Sequence, residues 1–175
     1  MNFFVSSYFT YLYQVGTNTV SERKGERYLS QLPVAYVDIR FCAHATEDID
    51  KVMEAVHNLF PSDHTEDVPF KRSVVEGHYG NPISFFEARI KNKETVRTLV
   101  ENIASNLSSL DKEELSREIT RCVEKGNLYI RLDKQAALQN KIKLVTADPI
   151  RIRIRFRTSK NENEIEICRT IGMLP

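Results

Sequence analysis

Residues 150–157 alternate apolar and basic side chains without interruption. Successive side chains of a β-strand point to opposite faces, so this pattern predicts a strand with one face packed on a core. The other face carries Arg151, Arg153, Arg155 and Arg157. Guanidinium groups aligned on one strand face repel one another unless anions lie between them, and the planar fork of arginine suits carboxylate or phosphate. The strand therefore predicts a polar sheet face with anionic company.

Charge is distributed unevenly along this chain of 175 residues, although the formal net charge is only +1. Residues 127–160 hold nine lysines and arginines against two acidic residues. The hydrophobic fraction of 41% is ordinary for a globular protein with a substantial core. Because the placement of charge matters more than its sum, the low net charge does not exclude a polyanionic partner.

The cysteines and histidines show no pattern typical of a disulfide framework or a metal site. Cys42, Cys122 and Cys168 are an odd number and form no CxxC motif. The histidines also lie at no metal-ligand spacing with nearby acids; they are His44, His57, His64 and His78. The sequence therefore predicts a reduced, cytoplasmic protein that has no metal and no cofactor.

Residues 1–32 are predicted to be an extension or a disordered tail. Residues 3–13 are rich in aromatic side chains, but they lack a basic leader region and are too short to cross a bilayer. Residues 16–31 are polar and charged and end before Pro33. We therefore expect no membrane role, and we expect residues 33–175 to form a single α+β domain.

Hydrophobic periodicity predicts the element order β-α-β-β-α-α-β-β-β-α. The predicted strands are 34–42, 70–76, 83–91, 128–132, 141–145 and 150–157. The predicted helices begin near residues 49, 96 and 111, a single helical turn covers 133–138, and residues 161–174 form an amphipathic helix or an edge strand.

Local signals predict where the helices begin and end. Thr46 is a candidate N-cap for the first helix, and Asp111 with Glu114 resembles a capping box for the third, with Leu110 and Leu115 as its hydrophobic staple. Gly126 lies where a left-handed residue could end that helix.

This order predicts an α+β fold in which helices cover one face of a mainly antiparallel sheet. The other face then collects ten basic residues against three acidic ones, Asp38, Glu87 and Asp133, with Tyr36, Phe85 and Tyr129 among them. Basic residues with interleaved aromatic rings are typical of a nucleic-acid-binding surface. The alternative is a solvated face whose charges pair across strands. The ten basic residues are Arg40, Arg89, Lys91, Arg131, Lys141, Lys143, Arg151, Arg153, Arg155 and Arg157.

The segment from Gly77 to Pro82 separates two predicted strands and contains two glycines. Its simplest interpretation is a structural turn, but it also presents His78 and Asn81 at a surface. Glu76 and His78 share a strand face, which leaves open an RNA-processing enzyme that uses them as acid and base. The chain contains no common hydrolase, metalloprotease or nucleotide-binding motif.

Three segments carry a resemblance to a known family: residues 76–83 (EGHYGNPI), 129–137 (YIRLDKQAA) and 148–154 (DPIRIRI). Together they resemble the archaeal RNA-binding family described as a predicted exosome subunit, and the resemblance covers about residues 34–157. It implies a fold similar to the ribosomal large-subunit protein that binds 5S RNA. It also implies RNA as the partner, with exosome or other RNA-processing proteins as further partners.

The sequence thus predicts a non-catalytic RNA-binding protein, accessory to RNA processing or exosome-linked degradation. The alternative from another class is a protein-interaction or assembly subunit, since arginine suits carboxylates as well as phosphates. We expect the RNA contacts to come from the following residues: Arg40, His78, Asn81, Arg89, Arg131, Lys134, Lys141, Lys143, Arg151, Arg153, Arg155 and Arg157.

Overall fold

The structure is a computed structural model that describes residues 32–61, 68–77, 80–157 and 163–175. The predictions for residues 1–31 and for His78 lie outside these ranges. Within them the chain forms six strands and five helices: β1 Val34–Ala43, α1 Ile49–His57, β2 Lys71–Glu76, β3 Pro82–Ile90, α2 Lys93–Asn106, α3 Ser109–Cys122, β4 Val123–Glu124, β5 Asn127–Leu132, α4 Lys134–Leu138, β6 Ile150–Phe156 and α5 Glu164–Thr170.

The six strands form one open sheet in the order β2-β3-β1-β6-β5-β4, and every neighbouring pair is antiparallel. The arginine strand β6 therefore lies inside the sheet, between β1 and β5. Its Ile152 pairs with Ile39 on one side and Ile130 on the other, which places three buried apolar residues in a row. The α+β architecture with a mainly antiparallel sheet is confirmed.

The apolar face of the sheet and the helices share one core. From β6, Ile150, Ile152, Ile154 and Phe156 are all buried, and Leu99 and Ile103 of α2 join the same cluster. Burial of side chains this large stabilises the fold by roughly 1.5–3 kcal/mol for each residue. Apolar alternation in β6 is therefore explained by the core, which leaves its arginines on the opposite face.

Two asparagine amides tie the helical layer together. Asn58, which ends α1, donates from Nδ2 to the carbonyls of Ala137 (3.1 Å) and Leu138 (3.3 Å) at the end of α4. Asn102 of α2 donates from Nδ2 to the carbonyl of Leu59 (2.8 Å). None of the helices in the described ranges is long and apolar enough to cross a membrane.

Several predicted helix boundaries are wrong. Asp48, and not Thr46, caps α1, because its carboxylate accepts from the backbone N–H groups of Asp50 and Lys51. Ser108 caps α3, and its hydroxyl accepts from the N–H of Asp111, so that helix begins earlier than predicted. Leu110 is 73% exposed and packs no hydrophobic staple.

Gly126 belongs to a hairpin and not to a helix C-terminus. Lys125 and Gly126 have φ values of 49° and 75° and link β4 to β5, where Glu124 pairs with Asn127. A two-residue loop with both φ values positive is the type I′ turn that matches strand twist. The helix before it ends at Cys122, with Val123 already extended.

The C-terminal half departs from prediction at one further place. Residues 141–145 form no strand, since only Ile142 and Leu144 make isolated bridges, to Leu107 and Leu132. The predicted single turn is confirmed as α4, with Asp133 as its N-cap. The terminal segment is helical as expected, although α5 covers only Glu164–Thr170.

Candidate nucleic-acid interface

We call the sheet face opposite the helices the open face. The register of the strands determines which side chains lie next to one another across it. One line of cross-strand partners across it joins Lys71, Glu87, Arg40, Arg151 and Arg131 on five successive strands. A second line joins Arg89, Asp38, Arg153 and Tyr129 on four strands. Alternation within each strand assigns its side chains to this face, and antiparallel register aligns them into rows.

Asp38 is the centre of a structural cluster on the open face. It is 5% exposed, and its carboxylate accepts hydrogen bonds from Arg89 Nε (2.7 Å) and Nη2 (3.1 Å). Arg153 Nη2 donates to the same carboxylate from the other neighbouring strand. The Arg89 guanidinium lies 4.4 Å from the ring centroid of Tyr36, within cation–π range. We call Tyr36, Asp38, Arg89 and Arg153 the Asp38 cluster.

The pKa values in the Asp38 cluster follow from this geometry. Burial raises the pKa of Asp38, but the hydrogen bonds and charges of Arg89 and Arg153 outweigh burial and hold that pKa below its usual range. The hydrogen bond to Asp38 raises the pKa of both Arg89 and Arg153. A carboxylate that accepts several charge-assisted bonds is fully ionised at neutral pH. Arg89 and Arg153 of the open face are therefore ion-paired with Asp38 within the protein.

The other line, called the basic row below, has a different balance. It contains four cations, Lys71, Arg40, Arg151 and Arg131, and one carboxylate, Glu87. Arg40 Nε lies 3.6 Å from the Glu87 carboxylate, and both side chains are exposed. Within the described residues, no carboxylate lies within 4 Å of the charged groups of the other three cations. With about 4.8 Å between strands, the row spans roughly 19 Å.

Among the described residues of the open face, two aromatic rings are exposed, Phe85 of β3 (44%) and Tyr129 of β5 (40%). Tyr36 lies beneath Arg89 instead. Two intervening strands place β3 and β5 roughly 14 Å apart across the sheet, and Phe85 is also displaced from the level of Tyr129 by four residues, roughly 13 Å, along the strands. In the part of the chain that the structure describes, the face therefore offers two separate stacking positions and no continuous aromatic platform.

The remaining predicted contact residues are dispersed. Arg155 Nη1 donates to the backbone carbonyl of Lys125 in the β4–β5 hairpin. Arg157 follows β6 and is exposed, as are Lys141 and Lys143, which lie in the segment with isolated bridges. Asn81 is exposed in the turn before β3, where its carbonyl accepts from the N–H of Gly77 at 2.8 Å.

The prediction that Lys134 contacts RNA is not supported, because the structure buries this side chain. It is 5% exposed, and its Nζ donates to Asp148 Oδ2 (2.7 Å) and to both carboxylate oxygens of Glu47 (3.1 Å each). An ammonium enclosed by two carboxylates is not available to a phosphate. Its position at the first residue of α4 turns it inward, which charge alone could not reveal.

A cleft of about 710 Å³ opens beside the basic row, between β3, β1 and the start of β6. Its lining includes Arg40, Lys71 and Arg151, together with Cys42, His44 and Asp148. Burial raises the pKa of the Cys42 thiol, so this cysteine is not an activated nucleophile. Burial also raises the pKa of Asp148, but hydrogen bonding to Lys134 and its charge outweigh burial and lower it overall. Sequence reasoning missed this grouping because Asp148 is 106 residues from Cys42.

Comparison with known proteins gives a consistent result. The RNA-binding protein PAB1135 of Pyrococcus abyssi is 38% identical over 116 residues, which cover 65% of this chain and 75% of that protein. The uncharacterized protein MJ0213 of Methanocaldococcus jannaschii is 34% identical over 111 residues, covering 61% and 73%. The solved structure of a DUF54 protein from Methanothermobacter thermautotrophicus superimposes with a TM-score of 0.65 at 26% identity, covering 81% of this chain and 98% of that one.

The family model described as RNA binding matches residues 36–156. That range begins at Tyr36 in β1 and ends at Phe156 in β6, so it includes the Asp38 cluster, the basic row and the cleft. The chain therefore belongs to this RNA-binding family.

Proposed function

We propose that this protein binds RNA through the basic row on the open face of its sheet and catalyses no reaction on it. The observation that carries the proposal is the surplus of three positive charges in the row, four cations against Glu87. Arginine and lysine side chains that lack internal carboxylates are suited to phosphate oxygens. Family membership and the name of the Pyrococcus abyssi relative support the same partner.

The arrangement favours recognition of the RNA backbone over recognition of base sequence. The exposed rings of Phe85 and Tyr129 are too far apart to stack on adjacent bases, whereas the cations form a line across the sheet. Phosphate contacts position a protein on RNA but carry little sequence information. We therefore expect binding to depend on RNA shape and charge. The physiological role that we propose is accessory to RNA processing or exosome-linked degradation in an archaeal cytoplasm.

The test compares two double variants that remove the same charge. Arg131→Gln with Arg151→Gln removes two cations of the basic row, and Lys93→Gln with Arg97→Gln removes two exposed cations from α2. Fluorescence anisotropy with structured RNA, single-stranded RNA and single-stranded DNA gives the affinities. We expect the row variant to weaken RNA binding at least about tenfold, because each lost phosphate contact also forfeits counterion release.

The control variant decides whether position or net charge matters. Equal loss of affinity in both double variants would assign binding to nonspecific charge and refute the proposed surface. Unchanged affinity in the row variant would refute it as well. In that case the competing function is a protein-assembly subunit whose basic row meets acidic partners, since arginine binds carboxylates as well as phosphates. Co-purification after nuclease treatment then separates protein partners from RNA.

The enzymatic alternative that uses Glu76 and His78 has less support. Glu76 ends the edge strand β2 and is exposed, while His78 lies outside the described residues. Absence of RNA cleavage in the binding assays, with intact RNA recovered from the complex, would agree with a non-catalytic role.

A further inference from the structure

The cleft beside the basic row contains a cysteine, a histidine and an aspartate whose ligand atoms converge. Cys42 Sγ lies 3.8 Å from His44 Nε2 and 3.5 Å from Asp148 Oδ1, and His44 Nε2 lies 3.4 Å from Asp148 Oδ1. Cys42 lies near the end of β1 and His44 follows the last residue of that strand, while Asp148 precedes β6, the strand paired with β1. All three side chains are accessible from the cleft.

These separations match those of ligands in a tetrahedral zinc site. Zinc–ligand distances are about 2.3 Å to sulfur, about 2.05 Å to nitrogen and about 2.0 Å to oxygen. At a tetrahedral angle these distances give about 3.6 Å between sulfur and nitrogen, about 3.5 Å between sulfur and oxygen, and about 3.3 Å between nitrogen and oxygen. The observed distances differ from these by about 0.2 Å or less. The three ligand atoms therefore already lie at the mutual separations that zinc ligands have.

The surroundings also orient the ligands. Lys134 Nζ holds Asp148 Oδ2 at 2.7 Å, which leaves Oδ1 directed toward Cys42 and His44. The Glu47 carboxylate accepts from the backbone N–H of His44 (2.9 Å) and from the same ammonium. Hydrogen bonds of this kind fix the orientation of metal ligands and are a regular part of metal sites. Asp148 adopts a φ of 45°, a conformation that few non-glycine residues take.

The charged groups in direct contact with the three ligand residues are negative on balance, while Arg40, Lys71 and Arg151 line the rest of the cleft. Glu47 and Asp148 carry two negative charges and Lys134 one positive charge, so the cluster begins at −1. Zinc binding displaces the thiol proton of Cys42, which takes the ligands to −2 and the loaded site to zero. A thiolate with an imidazole and a carboxylate is a donor set that selects zinc over magnesium or calcium.

We propose that Cys42, His44 and Asp148 bind one Zn²⁺ ion, with water from the cleft in the fourth position. The proposal departs from the expectation, drawn from sequence spacing alone, that the chain has no metal site. The zinc proposal rests on the geometry of the cleft residues and does not depend on the proposed RNA-binding function. The RNA affinity of the row variant, whether lost or unchanged, therefore does not test the zinc site.

The test uses the full chain, stripped with a chelator and titrated with Zn²⁺ in competition with a chromogenic chelator. We expect one ion per chain, with an affinity that falls at least about tenfold in Cys42→Ser and in His44→Ala. Cys122→Ser and His57→Ala are matched controls, because they remove the same side chains from outside the cleft, and their zinc affinity should equal that of the wild type.

A second measurement identifies the thiolate directly. Co²⁺ bound in place of zinc should give a thiolate-to-cobalt charge-transfer band that disappears in Cys42→Ser and persists in Cys122→Ser. In the Cys122→Ser background, Zn²⁺ should slow the reaction of a thiol reagent at Cys42, so the proposal can be tested even if Cys42→Ser does not fold. Absence of stoichiometric zinc binding, or binding that is unchanged in both Cys42→Ser and His44→Ala, overturns the site.

Discussion

Arg151 and Arg153 are two residues apart on the same strand and point to the same face, but we expect substitution by Gln to destabilise the fold only at Arg153. Arg153 donates to a carboxylate whose side chain is 7% exposed, whereas Arg151 is exposed and lies within 4 Å of no described carboxylate. Arg153→Gln should therefore destabilise the fold, and Arg151→Gln should not. The two variants change the net charge equally, so each controls for the other.

The magnitude for Arg153→Gln follows from what Asp38 loses. A hydrogen bond to a charged group contributes about 1.5–3 kcal/mol, and the cost is larger when a buried charge is left with fewer partners. Arg89 keeps its two hydrogen bonds to Asp38, and glutamine can recover part of the lost contact, so we expect a loss of about 1–2 kcal/mol. For a chain of this size that loss corresponds to a melting temperature lower by roughly 2–8 °C. Arg151→Gln should stay within about 0.5 kcal/mol of the wild type.

Chemical denaturation of the full chain, with Asp38→Asn as the second arm of a double-mutant cycle, measures the interaction itself. Neutralising Asp38 removes the partner of Arg153, so Arg153→Gln should cost less in the Asp38→Asn background, with a coupling of about 1–2 kcal/mol. Equal unfolding free energies for Arg153→Gln and Arg151→Gln, together with no coupling, would refute the division of the arginines into structural and exposed groups.

Two further predictions concern stability. The pKa of Asp38 is lower in the folded state than in the unfolded state, so the ionised carboxylate stabilises the fold above the unfolded-state pKa of about 3.9. This stabilisation is lost as the pH falls through the folded-state pKa. The difference in unfolding free energy between the wild type and Asp38→Asn, measured by denaturant unfolding, should therefore narrow steadily below about pH 4. Gly126→Val places a β-branched residue at a φ of 75° in the β4–β5 turn and should cost at least about 1 kcal/mol, whereas a Val variant as stable as wild type would argue against a type I′ turn there.

Local periodicity predicted the elements well where one pattern has one physical explanation. Residues 150–157 alternate because one face of β6 is buried in the core and the other is not, so the strand, its buried side and its polar side all followed from the sequence. Gly126 shows the opposite case. A left-handed glycine ends a helix or closes a hairpin equally well, and the choice was made by the pairing of Glu124 with Asn127.

The site was predicted less well because its contacts depend on cross-strand register. Nothing near Arg153 in the sequence shows that Asp38, 115 residues away, lies opposite it and takes up its charge. The grouping of Cys42 with Asp148 requires the same pairing of β1 with β6. Lys134 looked like an exposed base in a basic segment, but two carboxylates from distant positions enclose it. Composition counts charges, whereas only the fold shows which of them are already paired.

Because Arg89 and Arg153 are paired with Asp38, fewer cations are available to phosphates, and this limits how steeply RNA affinity can fall with salt concentration. If all ten basic residues assigned to the polar face from sequence contacted phosphates, log affinity would fall with log salt at a slope of about −7 to −9, since each contact contributes about 0.7–0.9. In the structure Arg89 and Arg153 pair with Asp38, and the basic row contains four cations, of which Arg40, Arg131 and Arg151 belong to those ten and Lys71 does not. Contacts from that row alone give a slope of about −3 to −4, and removing Arg131 and Arg151 should flatten it by one to two units. A measured slope near −8 would mean that RNA displaces the internal carboxylate or extends far beyond the row, and either outcome would replace the surface proposed for this protein.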